Sequence, residues 1–201
     1  EVRFLAPIKN PKQDVICLGI NYMDHAEESA RYKKEAFGGE RPYAVYFSKR
    51  VNESVANGDG IQSHSDIVTD LDYEVELAVV LGRDALHVRE EDVGDYIFGY
   101  SVANDVSARD VQYRHKQNFL GKSLDTFFAM GPVIVTADEF PCPPALSIRS
   151  FVNGELRQNS VTDQVFFNIR HIVSELSQGM TLPAGTILIT GTPAGVGMGM
   201  D

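Results

Sequence analysis

The chain has 201 residues, 43% of them hydrophobic and 23% charged, with a net charge of −10. That length can bury roughly 70% of the unfolded surface in a core. The acidic balance excludes a nucleic-acid surface, which needs clustered cations, and no apolar run approaches the roughly 20 residues of a membrane helix. Two cysteines, Cys17 and Cys142, without C-x-x-C spacing, exclude a thiolate zinc site and a disulfide framework. The opening EVRFLAPIKN reads as no signal peptide, so a reducing, cytoplasmic setting is expected.

In chain order, DVICLGI (14–20) reads as a short buried strand. Residues 22–36 are rich in helix formers and predict a helix stopped by Gly38 and Gly39. YAVYFSK (43–49) reads as a strand. A turn-rich stretch then leads into an acidic strand at 72–81. YIFGYSVAND (96–105) is a further strand, VSARDVQYRHKQ (106–117) a short helix and MGPVIVT (130–136) a strand. PCPP (141–144) makes a rigid connection. LSIRSFVNGELRQ (146–158) carries Asn153-Gly154 between alternating runs, a hairpin signal. VFFNIRHIVSELSQG (165–179) reads as an amphipathic helix and GTILITG (185–191) as the last strand. Strands dominate without regular βαβ alternation, which predicts an α+β, mostly β fold.

The chemistry concentrates in a few segments. In DLDYEVELAVVLG (70–82), Asp70, Asp72, Glu74 and Glu76 fall at alternate positions, on one face of a strand. A charge row can protect an edge strand from aggregation. Here, however, both faces turn apolar right after Glu76, and unpaired buried carboxylates cost several kcal/mol each. Oxygen-only ligands without His or Cys point to a hard cation, Mg²⁺, Mn²⁺ or Ca²⁺. Asp105, at a strand end, is the candidate third ligand, although an Asx turn would use it equally well. Arg109 and Gln112 share one face of the following helix. Lys122 lies in GKS (121–123), which is not a phosphate loop because Lys116 stands where that motif needs Gly. TGTPAGVGMG lacks the spacing of a dinucleotide loop. His25 and Glu28, at i and i+3, share a helix face, where a carboxylate can orient an imidazole as a base. His64, His87, His115 and His171 are assigned no such partner and are read as structural or surface residues.

Taken together, GINYMDHAEE, DLDYEVELAVVLG, GYSVANDVSARDVQ, FLGKSLDTFFAMGP and TGTPAGVG resemble the fumarylacetoacetate hydrolase family, in its order and over nearly the whole chain. The resemblance implies a β-roll of mixed sheets with a few peripheral helices. It assigns Glu74, Glu76 and Asp105 to one Mg²⁺ or Mn²⁺, leaving Asp70 and Asp72 outside the ligand set. Lys122 would neutralise developing negative charge. Arg109, Gln112 and Thr192 would contact a small-molecule 2-oxo acid substrate, and His25 with Glu28 would form a lid dyad that activates water. The reaction implied first is hydrolysis of a C–C bond in an acylpyruvate-type substrate, through a metal-bound enolate. Oxaloacetate decarboxylation or tautomerisation, and isomerisation of an unsaturated 2-oxo diacid, use related chemistry. A non-catalytic metal-binding protein would not need the His25–Glu28 pair. The resemblance also implies a homodimer and strands following the TGTP loop, so residues 1–201 are expected to form one catalytic domain lacking its last C-terminal strands.

Overall fold

The structure, a computed structural model, describes residues 3–33 and 42–200. Its elements run β1 (Val15–Leu18), α1 (Met23–Lys33), β2 (Tyr46–Lys49), β3 (Leu71–Asp72), β4 (Val75–Leu81) and β5 (Ile97–Asp105). There follow β6 (Ser107–Ala108), α2 (Arg109–His115), α3 (Asn118–Lys122), β7 (Phe128–Met130) and β8 (Val135–Thr136). The last are β9 (Ser147–Val152), β10 (Glu155–Val161), α4 (Ile169–Ser177) and β11 (Ile187–Ile189). The main mixed sheet has the order β2-β1-β11-β4-β5-β7, with β8 also on β5. Within it β1 and β11 run parallel, while the β1–β2, β11–β4, β4–β5 and β5–β7 pairs are antiparallel. The β9–β10 hairpin and the short β3–β6 ribbon stand apart from it. The α+β, mostly β architecture expected from the sequence is the one observed.

Both faces of β4 are buried. On one face Leu77, Val79 and Leu81 pack with Ile169, Ile172, Val173 and Leu176 of α4. On the other, Ala78 and Val80 join Val15, Cys17, Ile187 and Ile189. Burial of each such side chain contributes about 1.5–3 kcal/mol, so this two-sided core fixes the register of β4. The Ala78–Val80 face continues back through Glu76, which places carboxylates at the end of a buried surface.

Several elements differ from the sequence expectation. The acidic strand is interrupted at 73–74, because Glu74 N–H donates to Asn104 Oδ1 and Val75 N–H to Gln158 Oε1 instead of extending one ladder. Its charge row also breaks: Asp72, Glu74 and Glu76 are buried while Asp70 is exposed. The helix expected at 106–117 begins as β6 and ends at His115, since Lys116 is left-handed (φ 51°). A separate helix, α3, follows, with the Gln117 side chain accepting from Asn118 N–H and Phe119 N–H. MGPVIVT divides into β7 and β8, and Pro132 between them has no N–H for the ladder. Helix α4 starts later than expected because Asn168 caps Arg170 N–H and His171 N–H. The expected end of α1 at 36 and its Gly38–Gly39 stop lie outside the described residues.

Candidate active site

The ends of β2, β5 and α3 and the start of β4 converge at one edge of the sheet. Glu74, Glu76 and Asp105 each bring an oxygen to within 4.8 Å of the others, and all three are buried. Lys122 Nζ donates to Glu74 Oε2 at 2.8 Å and to Asp105 Oδ2 at 2.5 Å. Lys49, fully buried, donates to Asp105 Oδ1 at 2.5 Å and to Val106 O at 3.0 Å. Arg109 Nη1 lies 2.6 Å from Glu74 Oε1, and its Nε donates to Asp72 Oδ2 at 2.8 Å. Nη2 lies 2.8 Å from the same Asp72 oxygen without the alignment of a hydrogen bond, so it keeps donor capacity.

These contacts set the charges. Burial raises the Glu74 pKa, but Lys122 and Arg109 outweigh it and hold the carboxyl well below its usual range. Burial, with Asp105 and Glu74 nearby, pushes Glu76 well up. Burial likewise pushes the Lys49 ammonium down, against the pull of Asp105. Burial opposes the Lys122 charge too, but there Asp105 and Glu74 prevail and raise its pKa. Glu76 is the least supported member. Its Oε2 accepts from Gly191 N–H at 2.6 Å, while its Oε1 is buried without a hydrogen-bond partner. An orphaned carboxylate oxygen beside two further carboxylates, in an oxygen-only set, fits a hard divalent cation. Glu74, Glu76 and Asp105 could hold one.

The second half of the site comes from α1 and the Gly-rich loop after β11. His25 Nδ1 lies 2.9 Å from Glu28 Oε2, and Glu28 Oε1 accepts from Gly195 N–H at 2.9 Å. The carboxylate partner places the proton on Nδ1 and leaves Nε2 as the basic nitrogen. Asp72 secures the same loop by accepting from Gly197 N–H at 2.6 Å and Met198 N–H at 3.1 Å. A Cβ at 197 would stand 2.7 Å from Asp72 Oδ1, so the close approach requires glycine there. Gly191 has φ +94°, and a Cβ on it would meet Asn21 Cβ at 2.8 Å. Asn21 itself donates to Thr190 O and Phe167 O, anchoring the entry to α1.

A cleft of about 450 Å³ joins the two halves, and His25, Glu74, Arg109, Gln112, Lys122 and Thr192 line it. The structure therefore brings the sequence-predicted site residues to one place. Glu28 stands behind His25, and Glu76 and Asp105 behind Glu74 and Lys122. Gln112 Oε1 accepts from Arg109 Nη1 at 3.2 Å. The Thr192 hydroxyl donates to Val75 O and accepts from Gln158 Nε2, so it also braces the loop. One expectation is corrected: half-buried His171 does have carboxylate partners, Glu90 at 3.1 Å and Glu175 at 3.5 Å. Its i,i+4 spacing to Glu175 was the available signal. Sequence reasoning missed Lys49, Asp72 as the clasp of Arg109 and the loop, Gln158 and Asn21. Only Lys49 carried a signal, a cation in phase with Phe47 on a strand.

Known proteins share this arrangement of sequence and fold. The chain is 46% identical over 199 residues to the oxaloacetate tautomerase YisK of Bacillus subtilis, covering 99% of this chain and 64% of that one. The chain thus spans less than two thirds of that relative's length. The fumarylacetoacetate hydrolase structure from Exiguobacterium antarcticum superposes with a TM-score of 0.84 at 44% identity, covering all of this chain and 69% of that one. Fumarylpyruvate hydrolase from Pseudomonas aeruginosa, solved with Mn²⁺ and pyruvate, gives a TM-score of 0.78 at 30% identity, over 92% of this chain and 79% of that one. A family model described as the C-terminal part of fumarylacetoacetate (FAA) hydrolase matches residues 14–201, and the chain belongs to that family.

Proposed function

We propose that the protein is a divalent-metal-dependent enzyme of 2-oxo acids, and that its reaction is tautomerisation of oxaloacetate. The observation that carries this reading is the meeting of two devices in one cleft: a carboxylate-held imidazole, His25, and a buried acid–lysine cluster at Glu74 and Lys122. The similarity to a tautomerase moves the reading from the hydrolysis implied by the sequence motifs toward proton transfer. A divalent ion held by Glu74, Glu76 and Asp105 would supply Lewis acidity to a 2-oxo acid. Mg²⁺ and Mn²⁺ are the ions proposed, and Ca²⁺ fits the same oxygen donors.

His25 Nε2 takes the proton from C3 of the substrate, and Glu28 holds the ring and stabilises the imidazolium. Lys122 Nζ offsets negative charge developing on the C2 oxygen. The proton then returns to that oxygen, so one C–H bond breaks and one O–H bond forms. Arg109 Nη2 and Gln112 contact the substrate carboxylate, and Thr192 fixes the loop that faces it. Hydrolysis of an acylpyruvate is the second reading. It draws on the likeness to fumarylpyruvate hydrolase and on the same dyad acting on water. A homodimer completes the proposal on family resemblance, with light scattering as the check, and the cysteine usage supports a reducing, cytoplasmic setting.

Enol decay of oxaloacetate, followed by ultraviolet absorbance with Mn²⁺-loaded protein, tests the reading. Acceleration over buffer that is lost with chelator and lost in His25→Ala is expected. A rate equal to buffer, with acetate and pyruvate released from acetylpyruvate, would replace tautomerisation by hydrolysis.

A further inference from the structure

The cations lining the cleft divide into two kinds. Arg109 is paired with Asp72 and Glu74 and keeps only Nη2, assigned above to the carboxylate of the 2-oxo acid end, and Lys122 is paired with Glu74 and Asp105. Lys116 lines the same cleft, is exposed, and among the described residues its side chain has no ion pair or hydrogen bond. Its backbone is also unusual. Lys116 closes α2 in the left-handed region at φ 51°, where glycine is the common occupant. An L side chain there costs about 1–2 kcal/mol. The helix end does not need Lys116 to complement its dipole, because Arg114 and His115 already stand in the last turn. An energetically disfavoured residue with an uncommitted charge, aimed at a cleft, marks a functional position.

The proposed substrate explains what that charge could meet. Oxaloacetate is a dianion, and a chain of net charge −10 repels it unless local cations reverse the field. The acid–lysine cluster serves the 2-oxo acid end. The distal carboxylate needs a second cation, and Lys116 is the uncommitted lysine in the cleft lining. Lys116 at the end of α2 and Lys122 at the end of α3 line the same cleft, so a short diacid held at Lys122 and a flexible lysine stem from Lys116 share one space.

We propose that Lys116 is a specificity-determining residue that binds the distal carboxylate of a short 2-oxo diacid. The assignment rests on the 2-oxo acid reading of the site, and it separates dicarboxylic from monocarboxylic members of that class.

Calorimetric binding of two probes to the Mn²⁺-loaded full chain tests it. The probes are 3,3-difluorooxaloacetate, which has no C3 proton to lose, and pyruvate, which has no distal carboxylate. Lys116→Gly suits the backbone, so it folds with an unchanged or higher melting temperature, and Lys116→Arg keeps the charge. Lys116→Gly is expected to weaken the diacid about tenfold, with pyruvate affinity altered less than about twofold, and Lys116→Arg to restore the diacid. In turnover the same change raises KM for oxaloacetate more than it lowers kcat. Equal weakening of both probes, no weakening of either, or no binding of the diacid by the parent would overturn the assignment. A parent that binds the diacid through Lys116 yet leaves oxaloacetate decay at the buffer rate would remove the tautomerase reading and leave this one standing.

Discussion

Glu76 shows how one residue can burden the fold and still be kept. Burial first, then Asp105 and Glu74, raise its pKa, and the opposing pull of Lys122 and of Gly191 N–H does not outweigh them. A folded-state pKa above the unfolded value means that its stabilising contribution belongs to the protonated form. That contribution is full below the ordinary carboxylate range and disappears as pH rises through the raised value. Glu76→Gln removes this dependence and keeps an acceptor for Gly191. In chelator, urea titration should find the variant about 1–3 kcal/mol more stable than the parent at pH 8, with a smaller difference at pH 5. Its Mn²⁺ affinity should fall about 100-fold or more by calorimetry. A variant less stable than the parent at pH 8 would mean that Lys122 and Gly191 N–H support the charged form of Glu76 more than burial and its neighbouring carboxylates oppose it.

At the scale of elements, α1 and the loop after β11 act as one unit, because Glu28 touches both: one oxygen holds His25 and the other holds Gly195 N–H. Glu28→Gln retains an amide oxygen for one contact and loses the anionic partner of the imidazole. The expected outcome is a fall in kcat of about 10²–10⁴ with a melting temperature within a few degrees of the parent, read by steady-state kinetics and calorimetry. A large loss of stability would instead make Glu28 a structural clasp. The cores of these elements were legible because they depend on local composition and patterning, as in the helix formers around His25 and the apolar run of β4. Their ends were not, because distant side chains set them: Asn104 and Gln158 interrupt the acidic strand, and a left-handed Lys116 splits one expected helix into two. The metal-ligand and dyad candidates stood out as carboxylates and a histidine at helix or strand spacing, and family resemblance joined them. Lys49 and Gln158 escaped notice because their partners lie far along the chain, at Asp105 and Thr192. The phase of Lys49 with Phe47 marks its face of the strand, but no local pattern names either partner.

For the whole molecule, the question is how a buried cluster of Asp72, Glu74, Glu76 and Asp105 with Lys49, Arg109 and Lys122 coexists with a marginal folding free energy. Taking charges out of water costs several kcal/mol per ion, and the attraction among them returns this only where every oxygen is paired. Six of these seven groups are tied to an opposite charge, whereas Glu76 is held by a backbone N–H alone. The hydrophobic core on both faces of β4 carries the fold, and the cluster sits at its edge as a cost that a bound cation would offset. Because Glu74 and Glu76 at the start of β4 and Asp105 at the end of β5 are far apart in the chain, the unfolded chain has no such cluster, and an ion that binds it stabilises the folded state by mass action. Mn²⁺ at about 100 times its Kd should add about 2.7 kcal/mol, which for a chain of this size raises Tm by about 5–10 °C. Scanning calorimetry with Mn²⁺, with chelator, and with both in sequence measures this. The shift should reverse with chelator and shrink to less than about 2 °C in Glu76→Gln. An equal shift in that variant would locate the stabilising ion elsewhere on this acidic surface, and the three carboxylates would then need a different partner.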